Sequence, residues 1–336
     1  MRVGVAGASG YAGTELLRLL AAHPVLEVAV ATAERHEGEA LAERVPALAA
    51  AYPAMRYAPT TPAALAGLDV VFVALPHGRS AALAAEVLDQ GALVVDLGAD
   101  LRLDADTWAA HYGGPHPEPA LLTQAVCGLV ERHRDALRGA RLVAVPGCYP
   151  TAAALAMGPL VDAGLVGAGT VVVDAISGAS GAGTALDEAL HFPALADDVA
   201  AYALCGHRHT PEMERELDRA VLFTPHLAPL DRGLLATCTA AASDRAGTAA
   251  AMAALHDAYD DEPFVVVTEA PPHPKAVRGT NVAHVTARVD ERTTTVLALG
   301  AIDNLGKGAA GQAVQAANVA LGLDETAGLP RCGVWP

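Results

Sequence analysis

The first thirty residues alternate between two apolar rhythms. "RVGVAG" (Arg2 to Gly7) is a Val-rich run closed by glycine, "YAGTELLRLLAA" repeats its apolar residues three and four apart, and "LEVAVAT" (Leu26 to Thr32) is strand-like again. Strand, helix and strand in that order predict a βαβ unit. Val-rich runs recur at Asp69 to Leu75, Ala92 to Gly98 and Arg141 to Gly147, with a helical repeat near Ser80 to Gln90. Because these runs are continuously apolar rather than alternating, they predict a parallel sheet covered on both faces.

Beyond residue 148 the pattern changes. A helix is predicted from about Thr151 to Ala163, followed by the strand and glycine loop of "GTVVVDAISGASGAGT" and a loop-rich stretch. "GLLATCTAAAS", "PFVVVTEA", "NVAHVTARVD" and "TTTVLALGAID" then alternate with period two, which predicts a mixed or antiparallel sheet. A glycine-led helix in "NLGKGAAGQAVQAANVALGL" closes the pattern. The expected fold class is α/β: a Rossmann-type dinucleotide-binding domain plus an α+β substrate domain with a mixed or antiparallel sheet. A length of 336 residues suits two domains.

Composition narrows the function. The chain is 52% hydrophobic but only 4% aromatic, so its cores must rest on close Ala and Val packing. A net charge of −16, without a basic run or an aromatic platform, argues against nucleic acid as a partner. A small anionic substrate remains compatible, because a few local Arg or backbone N–H groups can hold one. Five cysteines at positions 127, 148, 205, 238 and 332 fit neither a disulfide framework nor a zinc cluster. Cys205, His207 and His209 lack a fourth ligand at suitable spacing, so no metal is expected. The chain opens directly on an apolar strand and holds no unbroken apolar span of about 18 residues. No membrane partner is expected, and a cytoplasmic location is.

Gly7, Gly10 and Gly13 in "GASGYAG" stand where a strand turns into a helix. Glycine there lets the backbone approach a pyrophosphate, whose charge meets the unsatisfied N–H groups of the helix start. At the end of the second strand, Glu34 can accept a ribose hydroxyl, whereas Thr32 and Arg35 can hold a 2′-phosphate. The two donors tip the expected cofactor to NADP over NAD.

Cys148 lies at the carboxyl end of the strand "RLVAVPG" and just before a helix, whose dipole favours a thiolate nucleophile. "GHRHTPE" adds His207 and His209 before a helix that Thr210 can cap and Pro211 can open; either imidazole suits acid–base work. Glu212 fits a first-turn acid or a partner that orients a histidine. "ISGASGAG" offers Ser177, Ser180 and a set of N–H groups for a phosphate or oxyanion, and Arg232, His226, Lys275 and Arg278 are further polar candidates.

On "GASGYAG", "ALPHG", "DLGADLRL", "PGCYPT", "SGASGAG", "GHRHTPE", "TPHLAPLDRG" and "NLGKGAAGQAVQ", in that order, the chain resembles the N-acetyl-gamma-glutamyl-phosphate reductases of the aspartate-semialdehyde dehydrogenase superfamily. It departs from them at "CGLVE" and at Thr184, where an Arg commonly follows the glycine loop. The resemblance implies an NADP-dependent reductase of arginine biosynthesis that works through a thioester on Cys148, with His207 or His209 as acid–base. It also implies cofactor contacts from Ser9, Tyr11, Pro76, Ser177, Gly178, Gly181, Asn304 and Gly306. Substrate contacts would come from Arg102, Tyr149, Ser180, Glu212 and Arg232. A returning C-terminal helix would give a discontinuous first domain, 1–147 with 305–336, around a substrate domain of 148–304. Partners would be a small acyl phosphate and further copies of the chain, as a homodimer or homotetramer. Related reductases of aspartyl or aminoadipyl phosphate, and a non-catalytic dinucleotide sensor, are the competing readings.

Overall fold

The structure is a computed structural model in which residues 1–335 are described. The chain divides into two units, Met1–Pro146 with Ala309–Leu329 and Gly147–Gly308 with the tail that follows Leu329.

The first unit is built on six strands: β1 (Arg2–Ala6), β2 (Glu27–Thr32), β3 (Val70–Val73), β4 (Leu93–Asp96), β5 (Val126–Cys127) and β6 (Leu142–Ala144). Their order is β2-β1-β3-β4-β6-β5, and every pairing is parallel. The continuous valines are buried as their pattern required: all of Val70–Val73 and Leu93–Asp96 lie out of solvent. The register levels the carboxyl ends, with Ala6 opposite both Thr32 and Val73, and Asp96 opposite both Val73 and Ala144. The chain runs from β1 to one side and then to the other, so the crevice beside β1 is the topological switch point where such sheets take ligands.

The returning helix Gly311–Ala320 is buried on every side and packs on the helices Tyr11–Leu20 and Val130–Leu137. Its polar residues are all engaged. Asn318 donates to the carbonyls of Glu325 and Ala327 and meets His23 Nε2 at 3.0 Å, while Gln315 donates to the carboxylates of Glu131 and Glu325. A buried amide left without partners would oppose folding, and here each is satisfied.

The second unit carries β7 (Val171–Gly178), β8 (Ala200–Ala201), β9 (Val221–Ala228), β10 (Leu234–Ala241), β11 (Val265–Val267), β12 (Ala283–Asp290) and β13 (Thr295–Ile302). Their order is β11-β12-β13-β10-β7-β9-β8, a mixed sheet in which β11–β12 and β7–β9 are parallel and the rest antiparallel. The helix Cys148–Asp162 covers one face together with Thr248–Tyr259. It comes unusually close because it is Ala-rich and because β13 offers Gly300, where a Cβ would stand 2.6 Å from the Ala152 carbonyl oxygen. On the other face Asp174, Ile176 and Leu222 are exposed, in keeping with the period-two alternation.

Three features depart from expectation. The helix begins at Cys148 instead of Thr151, since Pro150 occupies the first turn, where its missing N–H has no acceptor to lose. The strands β5, β8 and β9 were not anticipated; β9 contains Pro225, a residue that ordinarily argues against an interior strand. The segment after Leu329 goes with the second unit, not the first, because Asn281 N donates to the Pro330 carbonyl and Val334 N to that of Arg278.

Candidate active site

Two groups of polar residues stand at strand ends, one in each unit. In the first unit the glycine turn after β1 is sterically obligatory. Gly7 has φ +79°, and a Cβ there would lie 2.3 Å from the Ala74 carbonyl oxygen; at Gly13 a Cβ would lie 2.3 Å from that of Gly7. Gly10 forms the N-cap of the helix Tyr11–Leu20 without any side-chain cap, and a Cβ there would meet nothing closer than 3.6 Å. The first-turn N–H groups therefore have no intrahelical acceptor. Ser9 is half-buried and Tyr11 exposed beside them. An open helix start with no competing acid is the donor set a pyrophosphate needs, so these residues fit a dinucleotide.

Around that turn the expectations need correction. Thr32 is fully buried and its hydroxyl lies 2.9 Å from that of Thr60, so it is engaged inside the protein instead of waiting for a 2′-phosphate. Arg35 and Pro76 are exposed, as cofactor contacts require. Arg102, expected at the substrate, is mostly buried and donates to the Leu97 carbonyl at 2.7 Å, which makes it a brace of its own loop. Sequence reasoning overlooked Asp100. Its buried carboxylate accepts from the N–H groups of Gly78, Ser80 and Ala81 and so fixes the turn after β3. Nearby Asp96 is fully buried, and desolvation pushes its pKa up to about 7 although Gly98 N and the Ser80 hydroxyl both donate to it.

In the second unit Cys148 is the first residue of its helix and half-buried, at the positive end of the dipole. Gly308 packs directly on it: a Cβ there would fall 2.7 Å from Cys148 Cβ. The N-cap Gly147 lies under the His209 ring, with Nε2 2.6 Å from where a Cβ would be, so only glycine admits the imidazole beside the cysteine. Glu212 completes the group. Fully buried, it accepts from Gly147 N at 2.9 Å and stands 4.0 Å from His209 Nε2. Its expected role as a substrate contact gives way to that of a residue that holds the helix start and faces the histidine. His209, and not Thr210, occupies the N-cap place of the helix Thr210–Leu217.

The two histidines differ in kind. The His207 ring is packed among Tyr149, Tyr202, Phe223 and His209, and its Nδ1 accepts the His209 backbone N–H at 3.1 Å. That acceptance fixes the proton on Nε2, and burial lowers the pKa to about 4. His207 is thus a neutral spacer that holds His209. Tyr149 is also buried, with its hydroxyl 3.0 Å from that of Tyr202, and burial raises its pKa well above the usual phenol range.

The loop after β7 is not the open anion nest its glycines suggested. Gly178 N donates to the Gly233 carbonyl, Ala179 N to that of Leu230 and Ser180 N to that of Asp231. Asn304 accepts from Gly233 N and donates to the Ser180 hydroxyl, while the Ser177 hydroxyl donates to the Gly178 carbonyl. A Cβ at Gly306 would lie 2.1 Å from the Thr280 carbonyl oxygen. Ser177, Gly178, Asn304 and Gly306 therefore bind one another where cofactor contacts were expected; Gly181 alone of that group is exposed. Asp303, also overlooked, accepts from Gly279, Leu305 and Gly306 N–H groups and stands 3.5 Å from Arg232, whose side chain remains one quarter exposed.

The same two-part division appears in related proteins. A family model described as "Semialdehyde dehydrogenase, NAD binding domain" matches residues 2–140, and one described as "Semialdehyde dehydrogenase, dimerisation domain" matches 148–304. The solved aspartate semialdehyde dehydrogenase II of Vibrio cholerae has the same fold, with a TM-score of 0.70 at 17% identity over 95% of this chain and 97% of that one. So has the Candida albicans aspartate semialdehyde dehydrogenase solved with NADP, with a TM-score of 0.69 at 15% identity over 95% and 97%. Much nearer in sequence is the N-acetyl-gamma-glutamyl-phosphate reductase of Acidothermus cellulolyticus, 50% identical over 100% of this chain and 99% of the relative. That of Ectopseudomonas mendocina is 45% identical over 100% of both. Identity at this level over the whole length settles the lineage: the chain belongs to the N-acetyl-gamma-glutamyl-phosphate reductase family.

Proposed function

We propose that the chain catalyses the reversible NADPH-dependent reduction of N-acetyl-γ-glutamyl phosphate to N-acetylglutamate semialdehyde, with release of phosphate, in arginine biosynthesis. The observation that carries the reading is the convergence of Cys148, His209 and the buried Glu212 on one residue, Gly147, at the start of a buried helix. The Cys148 thiolate, favoured by the helix start, attacks the acyl-phosphate carbonyl, and the C–O bond to phosphate breaks to leave a thioester. Bound NADPH supplies the hydride that this thioester carbon accepts. His209 protonates the oxygen that gains charge, then removes that proton as the C–S bond breaks and the aldehyde leaves. Glu212 keeps the imidazole aimed at Cys148. His207 stays neutral throughout and serves as a positioning residue. Arg232, exposed enough to reach a ligand and anchored by Asp303, holds an anionic group of the substrate.

The glycine turn and the open start of the helix Tyr11–Leu20 hold the cofactor's pyrophosphate. We further propose a homo-oligomer, dimeric or tetrameric, formed through the outer face of the second sheet. Ile176, Leu222 and Val266 are each more than one third exposed there, and the matching family model is described as a dimerisation domain. Among the described residues no helix is long and apolar enough to cross a membrane. The cytoplasm, whose thiol buffers keep a cysteine nucleophile reduced, is the compartment this chemistry suits.

The test runs the reaction backwards. N-acetylglutamate semialdehyde, phosphate and NADP are mixed with wild type and Cys148→Ser, and reduced cofactor is followed by absorbance. Phosphate-dependent reduction in wild type alone is expected; equal rates in the two proteins remove Cys148 from the mechanism. Activity with aspartate semialdehyde in its place assigns a different acyl group.

A further inference from the structure

One ion pair lies across the nucleotide turn and has no part in the chemistry above. Glu34, two residues beyond β2, accepts two hydrogen bonds from Arg79, six residues beyond β3; the Nη1 bond is 2.9 Å long. Because β1 lies between β2 and β3, this bidentate pair passes over the carboxyl end of β1, where the glycine turn begins. Glu34 stands where a dinucleotide fold presents an acid to the adenosine ribose. Alone, its charge would accept a 2′-hydroxyl and repel a 2′-phosphate. The guanidinium cancels that charge and is itself the better phosphate ligand, planar and bidentate.

The two ends of Arg79 are held differently. Its backbone is fixed: Arg79 N donates to the Pro76 carbonyl, and Asp100 holds the N–H groups on both sides, at Gly78 and Ser80. Its side chain is 55% exposed and Glu34 47%, a setting in which an ion pair adds little and is readily exchanged. Thr32, the other donor near this point, is closed off by Thr60.

We propose that Arg79 is the residue that selects NADP over NAD, reading the 2′-phosphate, and that Glu34 is the carboxylate on which its side chain rests until that phosphate takes its place. This rests on the reading that the first unit holds NADP at its glycine turn. A 2′-hydroxyl cannot displace Glu34, so NAD gains nothing from Arg79.

Equilibrium binding tests this without turnover. Titration calorimetry compares adenosine 2′,5′-bisphosphate with ADP on wild type, Arg79→Ala, Glu34→Gln and Arg35→Ala. Wild type is expected to prefer the 2′-phosphorylated nucleotide. Arg79→Ala should weaken it about tenfold or more while changing ADP less than about twofold, with an unchanged melting temperature, as loss of one bidentate phosphate contact implies. Glu34→Gln should tighten it, because the competing carboxylate is gone. Equal losses for both nucleotides in Arg79→Ala, no loss, or a selective loss only in Arg35→Ala overturns the assignment. If wild type binds neither nucleotide, the reading of the glycine turn itself fails.

Discussion

The tetrapeptide Gly-Ala-Ser-Gly occurs twice, as Gly7–Gly10 after β1 and as Gly178–Gly181 after β7, and the two copies do opposite things. The first opens into a ten-residue helix with no side-chain cap, so its neighbouring N–H groups face outward as a ligand site. The second enters a single short turn, and the carbonyls of Leu230, Asp231 and Gly233 take the N–H groups of Ala179, Ser180 and Gly178. A glycine loop is therefore an anion site only if nothing in its own fold claims its donors. The first copy binds; the second braces the loops around Asn304 and Asp303.

The largest expected effect separates chemistry from both loops. Cys148→Ser should lower kcat by about a thousandfold or more while NADPH affinity, measured by fluorescence titration, stays within about twofold. His209→Asn comes next, with a loss on the order of a hundredfold or more, whereas His207→Asn, which keeps an acceptor for the His209 N–H, should lose less. Comparable losses in the two would undo the distinction drawn between the histidines.

The loops themselves are distinguished by two glycines. At Gly10 the protein leaves room for a methyl group, so Gly10→Ala should fold normally yet weaken NADPH binding about tenfold by blocking the cofactor's approach. At Gly178 a Cβ would stand 2.8 Å from the Leu230 carbonyl oxygen, and Gly178→Ala should instead cost about 2 kcal/mol of stability in denaturant unfolding. NADPH affinity should be unchanged. The opposite assignment of the two effects would mean that the second loop is the nucleotide site.

The smallest effect follows acidity. His207 has a folded-state pKa of about 4, below its ordinary value of 6.5, so the stability it contributes is full above pH 6.5 and is lost as pH falls towards 4. With allowance for its residual contact with solvent, the loss should be about 2 kcal/mol. His207→Asn should flatten that limb of the stability curve in urea unfolding at pH 7, 5.5 and 4. A variant that keeps the full slope would place the titrating group elsewhere.

How much of this was legible depended on whether a residue acts through its neighbours in sequence or across space. The parallel sheet, the glycine turn and Cys148 at a helix start could be read because strand runs, glycine spacing and the following apolar helix are local. Asp100 and Asp303 could not. Their partners are N–H groups about twenty residues away, and the only signal was an acid just beyond a strand end, in "DLGADL" and "AIDNLG". Glu212 was read from its own helix, where a first-turn acid is unremarkable; its bond to Gly147, sixty-five residues earlier, changes its role. Thr32 and Arg102 erred the other way. Both are donors in plausible motifs, but burial and a partner inside the protein remove them from ligand reach.

The covalent relay at Cys148 is tested most directly by its stoichiometry. N-acetylglutamate semialdehyde and NADP, mixed rapidly with wild type in the absence of phosphate, should give a burst of NADPH equal to one per chain as the thioester forms, followed by slow hydrolysis until phosphate restores turnover. A wild type without the burst, or a Cys148→Ser variant that shows one, would contradict a thioester on Cys148.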